Sequence, residues 1–456
     1  MRSWLPRLRG RVTLRARMRR AWRLSPPALL AGGFAVFILI GTLLFWLPFA
    51  SHEGLSLWQA LFTATASITV TGLSLVDPAR DLTLFGQIVV MVLFHIGGLG
   101  LMTFAVLTVL ALGGRLGLGG QRLVREAMNQ TSPGDVVVLV RQVALLALTL
   151  ELVGAAVLAT AWVPEMGWAR GLWMSFFHAA SAFNNAGVSI LPGGLAPWAA
   201  TPLITIVITG LFIVGGLGFT VINDLWHERR FGRLSLHSKL TLTGTLILAV
   251  SAWLMVMGFE WNNGNTLAAL APEQRPWLAW FMAVVPRSAG FAVVDISVAY
   301  APTVLLTMFL IFIGGGSNST ASGIKVSTFM VVILATRAFL TGRQRPTAFT
   351  RMVSLKSVFR AYTVVVLSLL MVMLGCFFLV ILEPEMRPMD VLFEGFSAFG
   401  NAGMTRGITA HMSMASQAVV MVLMFVGRIG PLALAFSLAR PRPVRLRYAE
   451  DEVQIG

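Results

Sequence analysis

Apolar residues occur in long unbroken runs along this chain, near 28–50, 84–112, 143–163, 202–225, 240–259, 304–337, 361–382 and 418–439. A helix of about 20 such residues crosses a hydrocarbon core of roughly 30 Å, so the pattern predicts eight crossings. Shorter apolar stretches near 57–68, 170–183, 277–286 and 388–399 fall between them. At about 10 to 14 residues these are too short to span and read as re-entrant half-helices. Each leads into a glycine-centred segment: Thr69-Val70-Thr71-Gly72-Leu73, Asn184-Asn185-Ala186-Gly187-Val188, Arg287-Ser288-Ala289-Gly290-Phe291 and Gly400-Asn401-Ala402-Gly403-Met404. An aromatic residue precedes every one of these glycines at the same spacing (Phe62, Phe177, Trp280, Phe393), and a second glycine cluster follows (Gly97-Gly98, Gly215-Gly216, Gly314-Gly315-Gly316, Gly427).

The fold class expected is an all-α polytopic membrane protein. Four tandem helix–pore-loop–helix repeats would surround a central pore, with eight transmembrane helices and four re-entrant half-helices. An even number of crossings per repeat returns the chain to the same side each time, so the repeats share one orientation and relate by an axis along the membrane normal. The segmentation is a basic terminus 1–27, repeat 1 at 28–112, a linker 113–141, repeat 2 at 142–228, a linker 229–239, repeat 3 at 240–337, a linker 338–360, repeat 4 at 361–439 and a tail 440–456. No separate soluble domain is expected. The first apolar run follows a basic stretch but is too long for a cleaved signal and belongs to the first repeat, so it reads as a retained helix.

Composition agrees with a lipid environment: 56% of residues are hydrophobic and 12% charged, and the mean hydropathy is +0.79. The net charge of +16 raises nucleic acid as a partner. The placement of the basic residues points instead to topology. Alternate loops and the two termini hold 27 Lys and Arg residues, while the opposite loops hold 5 (Arg80, Arg170, Arg275, Arg387, Arg406). By the positive-inside rule both termini are cytoplasmic, and no nucleic acid partner is expected. Cys376 is the only cysteine, which excludes an intrachain disulfide, and His52, His95, His178, His227, His237 and His411 stand at unrelated spacings that form no metal-ligand pattern. The linker 113–120 is glycine-rich without the dinucleotide fingerprint.

A monovalent cation stripped of water needs several oxygen ligands, which backbone carbonyls at the ends of re-entrant helices can supply. Glycine reaches φ values closed to other residues and lets the backbone come close to an ion. The expected filter therefore comprises Thr69, Val70, Thr71, Gly72; Asn184, Asn185, Ala186, Gly187; Arg287, Ser288, Ala289, Gly290; and Gly400, Asn401, Ala402, Gly403. Carbonyl ends of half-helices carry about half a negative charge and favour cations. Close helix packing is the alternative use for such glycines. The third inward helix is interrupted by Gly314-Gly315-Gly316-Ser317-Asn318-Ser319-Thr320-Ala321-Ser322-Gly323-Ile324-Lys325. This is a candidate gate, with a kinked helix as the alternative. Arg428 lies at the equivalent depth of the fourth repeat. At about 7 Å and an effective dielectric near 20 it would raise a passing cation's energy by roughly 2 kcal/mol. A structural ion pair with Glu394 is the other reading. Glu151 and Arg287 read as pairing or loop-bracing groups.

These segments resemble the membrane subunits of the Trk/Ktr/HKT potassium-transporter superfamily, in particular the KtrB type, over nearly the whole chain. The resemblance is carried by Phe62-Thr63-Ala64-Thr65 with Thr69-Val70-Thr71-Gly72-Leu73, Ile96-Gly97-Gly98-Leu99-Gly100, Ser181-Ala182-Phe183-Asn184-Asn185-Ala186-Gly187, Gly215-Gly216-Leu217-Gly218-Phe219, Ser322-Gly323-Ile324-Lys325-Val326 and Gly427-Arg428-Ile429-Gly430-Pro431. It implies potassium uptake through a pore with the ion on the backbone of Gly72, Gly187, Gly290 and Gly403. An intramembrane gating loop in the third repeat and an arginine beside it, matched by Arg428, are implied too. So are a homodimer, a separate KtrA-like cytoplasmic ring that binds nucleotide, sodium as an activator, a bacterial inner membrane location and no organic cofactor in this chain.

Two departures stand out: Pro286 before the third segment, and His95 where an uncharged polar residue is expected. A sodium-permeable or sodium-coupled relative of the same superfamily is the nearest rival function. An enzyme would need a nucleophile with a base, paired carboxylates or a metal cluster within the crossings, and the sequence contains none.

Overall fold

The computed structural model describes residues 26–111, 134–287 and 290–431, with side chains for 31–99, 141–287 and 290–431. Most of the basic N-terminus and of the linker 113–141, the whole tail 440–456, and Ser288 and Ala289 of the third glycine segment lie outside the described residues.

The structure is helical. Its α-helices are α1 Pro26–Trp46, α2 Leu57–Ile68, α3 Leu84–Ala111, α4 Gly134–Met166, α5 Trp168–Phe183, α6 Pro202–Leu217, α7 Phe219–Glu228, α8 Leu236–Glu260, α9 Arg275–Val284, α10 Ala301–Phe312, α11 Val326–Leu340, α12 Leu355–Leu382, α13 Pro388–Gly400 and α14 Met414–Ile429. A two-stranded hairpin pairs β1 Thr347–Ala348 with β2 Arg351–Met352 in the loop between α11 and α12. Three of the described helices are long and apolar enough to cross a membrane (Arg141–Met166, Leu236–Glu260, Leu355–Leu382), or four if the bent pair α6 and α7 counts as one.

Local chemistry sets the helix starts. Ser56 and Gln59 form a capping box at α2, in which the Gln59 amide donates to Ser56 Oγ at 3.2 Å and the Ser56 amide donates to Gln59 Oε1 at 2.9 Å. Ser235, Ser354 and Ser413 cap α8, α12 and α14, and proline stands in the first turn of α6, α9, α10 and α13, where its missing N–H costs nothing.

The run 202–225 is not one straight helix. It bends by 94° between α6 and α7, at Gly218 with φ 97°. A Cβ on Gly218 would collide with the Ser317 carbonyl, so the break lets the polar segment of the third unit lie against the second. The run 304–337 is broken as well, between Phe312 and Val326.

Each short helix packs within a triad: α2 with α1 and α3, α5 with α4 and α6, α13 with α12 and α14, while α9 packs on α8, which also holds α10. Between triads, the third helix of one unit packs on the short helix of the next: α3 on α5, α6 on α9, α10 on α13 and α14 on α2. The chain thus closes on itself. Tryptophan indoles stitch the same order together, with Trp173 on Gln87 Oε1 at 2.8 Å, Trp280 on Thr209 Oγ1 at 3.2 Å and Trp58 on Gln417 Oε1 at 2.6 Å. Phe62, Phe177 and Phe393 are fully buried, and Trp280 is half-buried.

Candidate functional site

The short helices end where the glycine segments begin, so their last carbonyls have no intrahelical partner. Gly72, Gly187, Gly290 and Gly403 all have positive φ, between 64° and 86°. Two positions earlier Val70, Asn185 and Asn401 also sit in the left-handed region at φ 57°, 56° and 49°. That conformation disfavours a β-branched valine, and it recurs in all three units where the position is described. Alternate left-handed residues turn the backbone so tightly that the segments come together at their glycines. A Cβ on Gly72 would stand 2.7 Å from the Ala186 carbonyl oxygen; one on Gly290 would collide with the Ala402 oxygen, and one on Gly403 with the Thr71 oxygen. Glycine is required here for close approach as well as for φ.

Side chains behind the segments hold them in place. Asn401 Nδ2 donates to Thr71 Oγ1 at 2.6 Å and to the Met424 carbonyl at 3.0 Å, and Thr71 Oγ1 is 2.7 Å from Thr69 Oγ1. Asn184 Nδ2 donates to Glu151 Oε1 and to the Ala180 carbonyl, each at 2.9 Å. Arg287 is buried and reaches the Thr245 carbonyl at 3.4 Å and Thr245 Oγ1 at 3.3 Å on α8.

Residues 314–325 form a compact non-helical segment packed against the break between α6 and α7. The Gly316 amide donates to the Gly216 carbonyl at 2.7 Å, the Thr320 amide to Gly215 at 3.3 Å, and the Phe219 amide to the Asn318 carbonyl at 3.0 Å. Within the third unit the Ile324 amide donates to Phe312 at 3.1 Å and Val326 to Gly315 at 2.9 Å. Lys325 Nζ donates back to the Ala321 carbonyl at 2.8 Å, Ser319 Oγ to the Gly316 carbonyl at 2.7 Å, and Ser317 Oγ lies 3.1 Å from Ser327 Oγ. Several of its backbone groups therefore find partners without a helix, which is what a non-helical segment buried in protein requires.

Side chains also join this segment to the rest of the site, through Asn185, Thr320 and Arg428. Asn185 Nδ2 donates to Thr320 Oγ1 at 2.5 Å, and Thr320 Oγ1 donates to the Phe183 carbonyl at 3.2 Å. Arg428 donates through Nη1 to the Thr320 carbonyl at 2.6 Å and Ser322 Oγ at 3.1 Å, and through Nη2 to the carbonyls of Gly97 and Gly98. One guanidinium thus clamps the polar segment of the third unit to a helix of the first. It is not paired with Glu394, whose Oε1 accepts instead from Thr405 at 3.1 Å and from Thr409. The Glu394 carboxyl is turned to the loop after its own segment, at Thr405 and Thr409, whereas Arg428 is taken up by Thr320, Ser322, Gly97 and Gly98.

Sequence reading missed the Asn185–Thr320 bond, the Asn401–Thr71 bond and the link from His95 through Glu151 to Asn184. The available signal was Thr71 where the other segments have alanine, and asparagine at one shared position in the second and fourth segments (Asn185, Asn401); the partners lie a hundred or more positions apart for the first two bonds, beyond any local pattern.

The chain matches the family described as TrkH, cation transport protein, over residues 32–446. It is 45% identical over 434 residues to the "Ktr system potassium uptake protein B" of Bacillus subtilis, covering 95% of this chain and 97% of that protein. It is 34% identical over 442 residues to the "Potassium/sodium uptake protein NtpJ" of Enterococcus hirae, covering 95% and 98%. Its fold is similar to the crystal structure of the potassium transporter TrkH from Vibrio parahaemolyticus, with a TM-score of 0.70 at 18% identity over 90% of this chain and 85% of the other.

Proposed function

The chain belongs to the TrkH family of cation transport proteins, and from that premise we propose that it carries potassium into the cell through a channel-like filter made by its four glycine segments, closed below by residues 314–325. The observation that carries the reading is the convergence of Gly72, Gly290 and Gly403 on carbonyls of neighbouring segments. A ring of carbonyls at the ends of short helices supplies oxygen ligands in a region of negative dipole potential, which attracts a cation and repels an anion. The eight-crossing, four-repeat pore is supported by the closed order of packing, α3 on α5, α6 on α9, α10 on α13 and α14 on α2. The half-helices set the depth at which dehydration is compensated.

Below the ring, the clamp from Arg428 to residues 314–325 blocks the axis and places a positive charge beside it. Release of the segment from Asn185, Thr320 and Arg428 would open the path. The same reading includes a homodimer in a bacterial inner membrane with cytoplasmic termini, sodium as activator, and a separate nucleotide-binding ring that pulls on the segment from the cytoplasmic side. Exposed Arg229, Arg230, Arg343, Arg345 and Arg351 support such a docking face. The potassium/sodium name of the Enterococcus relative favours one alternative, a filter that also passes sodium.

The test is uptake of potassium, rubidium and sodium, each separately, into liposomes holding the purified chain. Potassium uptake well above sodium supports the selective filter; equal uptake supports the sodium-permeable alternative. An Arg428→Ala protein that passes no cation would remove the proposal.

A further inference from the structure

His95 on α3 and Glu151 on α4 form a pair that ends at the second glycine segment. His95 Nδ1 lies 2.9 Å from the Met91 carbonyl oxygen one turn back. A carbonyl only accepts, so Nδ1 carries hydrogen. His95 Nε2 faces Glu151 Oε2 at 3.1 Å, and Glu151 Oε1 accepts from Asn184 Nδ2 at 2.9 Å. A bare imidazole nitrogen opposite a carboxylate oxygen would set lone pair against lone pair, in a place where the Glu151 side chain is 2% exposed. The contact therefore needs a second proton between Nε2 and Oε2. His95, at 27% exposure, is the accessible end of the pair.

We propose that this proton sets how firmly the second glycine segment is held, with Glu151 as a positioning residue for the ion-selecting loop and His95 as its titratable handle. The inference rests on the potassium-conduit reading. With the proton present the pair is neutral as a whole and Glu151 is fixed from both sides. When the proton leaves to water at high pH, the carboxylate and the imidazole lone pair repel, Glu151 shifts, and Asn184 loses the partner that orients it. Asn184 Oδ1 has no hydrogen bond of its own and lies against Gly98, so Glu151 and the Ala180 carbonyl are all that hold the amide. Asn184 ends α5 and is followed by Asn185, the left-handed residue that also holds Thr320.

Other charged groups do not supply the same control. Among the described side chains α1 and α2 carry no titratable group. On α4, Arg141 and Glu165 are exposed and at least ~15 Å from Glu151 along the helix. On α5, Arg170 is exposed and His178 is engaged with the Met174 carbonyl at 2.8 Å and Ser189 Oγ at 2.8 Å. Arg428 meets α3 at the Gly97 and Gly98 carbonyls and not at His95 or Glu151. The fourth segment is held through Asn401 and Thr71, which do not titrate.

The experiment is calorimetric titration of potassium and of sodium into the purified full chain at about pH 6 and about pH 9, which bracket an imidazole on either side. Loss of one oriented hydrogen bond predicts that the ratio of potassium to sodium affinity falls about fivefold at the higher pH. His95→Gln puts an amide donor on Glu151 at both pH values, and its ratio should stay high and flat. Glu151→Gln, which bonds both neighbours without titrating, should also be flat. A wild-type ratio equal at both pH values, or a His95→Gln protein with the full wild-type pH dependence, would overturn the proposal while leaving the conduit intact. Absence of potassium binding at either pH would instead overturn the conduit and this inference with it.

Discussion

In the first, second and fourth units a glycine of the inward helix lies flat on the last carbonyls of its own half-helix: Gly97 on Ile68, Gly215 on Phe183 and Gly427 on Phe399. In the third unit the matching glycine, Gly314, lies instead on Ser322, within the polar segment that interrupts the helix, and Gly315 and Gly316 lie on Gly216 and Leu217 of the second unit. One motif therefore does two jobs. In three units the missing side chain brings helix and half-helix into contact, which fixes the height of the glycine segment above. In the third it lets the backbone leave the helix and lie against the second unit. The contrast shows one glycine motif packing a helix on its own half-helix in three places and joining two different units in the fourth.

Substitutions at the converging glycines should have the largest effect, because they strike what all units share. Gly290→Ser and Gly403→Ala each add an atom that collides with a neighbouring carbonyl and force an L-residue into positive φ, a cost of about 1–2 kcal/mol for the conformation before any collision. Potassium affinity measured by calorimetry should fall by about tenfold or more, with discrimination against sodium reduced. Unchanged discrimination in both variants would remove these glycines from the filter.

Arg428→Ala comes next, because it touches the departing segment and one helix of the first unit and not the glycines all units share. It removes four hydrogen bonds that hold Thr320, Ser322, Gly97 and Gly98 together, and bonds to a charged donor are worth about 1.5–3 kcal/mol each. Flux into liposomes should rise about tenfold with ion selectivity retained. Flux at the wild-type level would mean that the segment is not held by this clamp.

Gly97→Ala tests the packing role instead. Its Cβ would meet the Ile68 carbonyl and should destabilise the chain by about 1–3 kcal/mol, read as a lower melting temperature in detergent. Gly215→Ala should behave alike. The smallest effect is expected for Thr209→Val, which removes the partner of the Trp280 indole at 3.2 Å and should cost about 1 kcal/mol of stability without changing selectivity.

Much of this frame is legible in the sequence. Apolar run length separates the short helices from the long ones, and α2 begins and ends where the run 57–68 does. Glycines with positive φ stand in all four segments. The positions where the chain departs from a straight span were only partly legible. The break at Gly218 is not legible locally because the group packed against it, the Ser317 carbonyl, arrives from another unit. Arg428 was recognisable as a costly charge at depth, but its carbonyl partners are residues of any side chain and leave no trace in sequence. Glu151 was recognisable as buried, while its role in orienting Asn184 depends on the relative height of α4 and α5.

The measurement that bears most directly on the central claim is anomalous scattering from crystals of the chain soaked in rubidium. The account predicts one strong peak enclosed by the backbone carbonyls next to Gly72, Gly187, Gly290 and Gly403, above residues 314–325. A fully occupied rubidium site elsewhere in the protein, with none among those carbonyls, would contradict it.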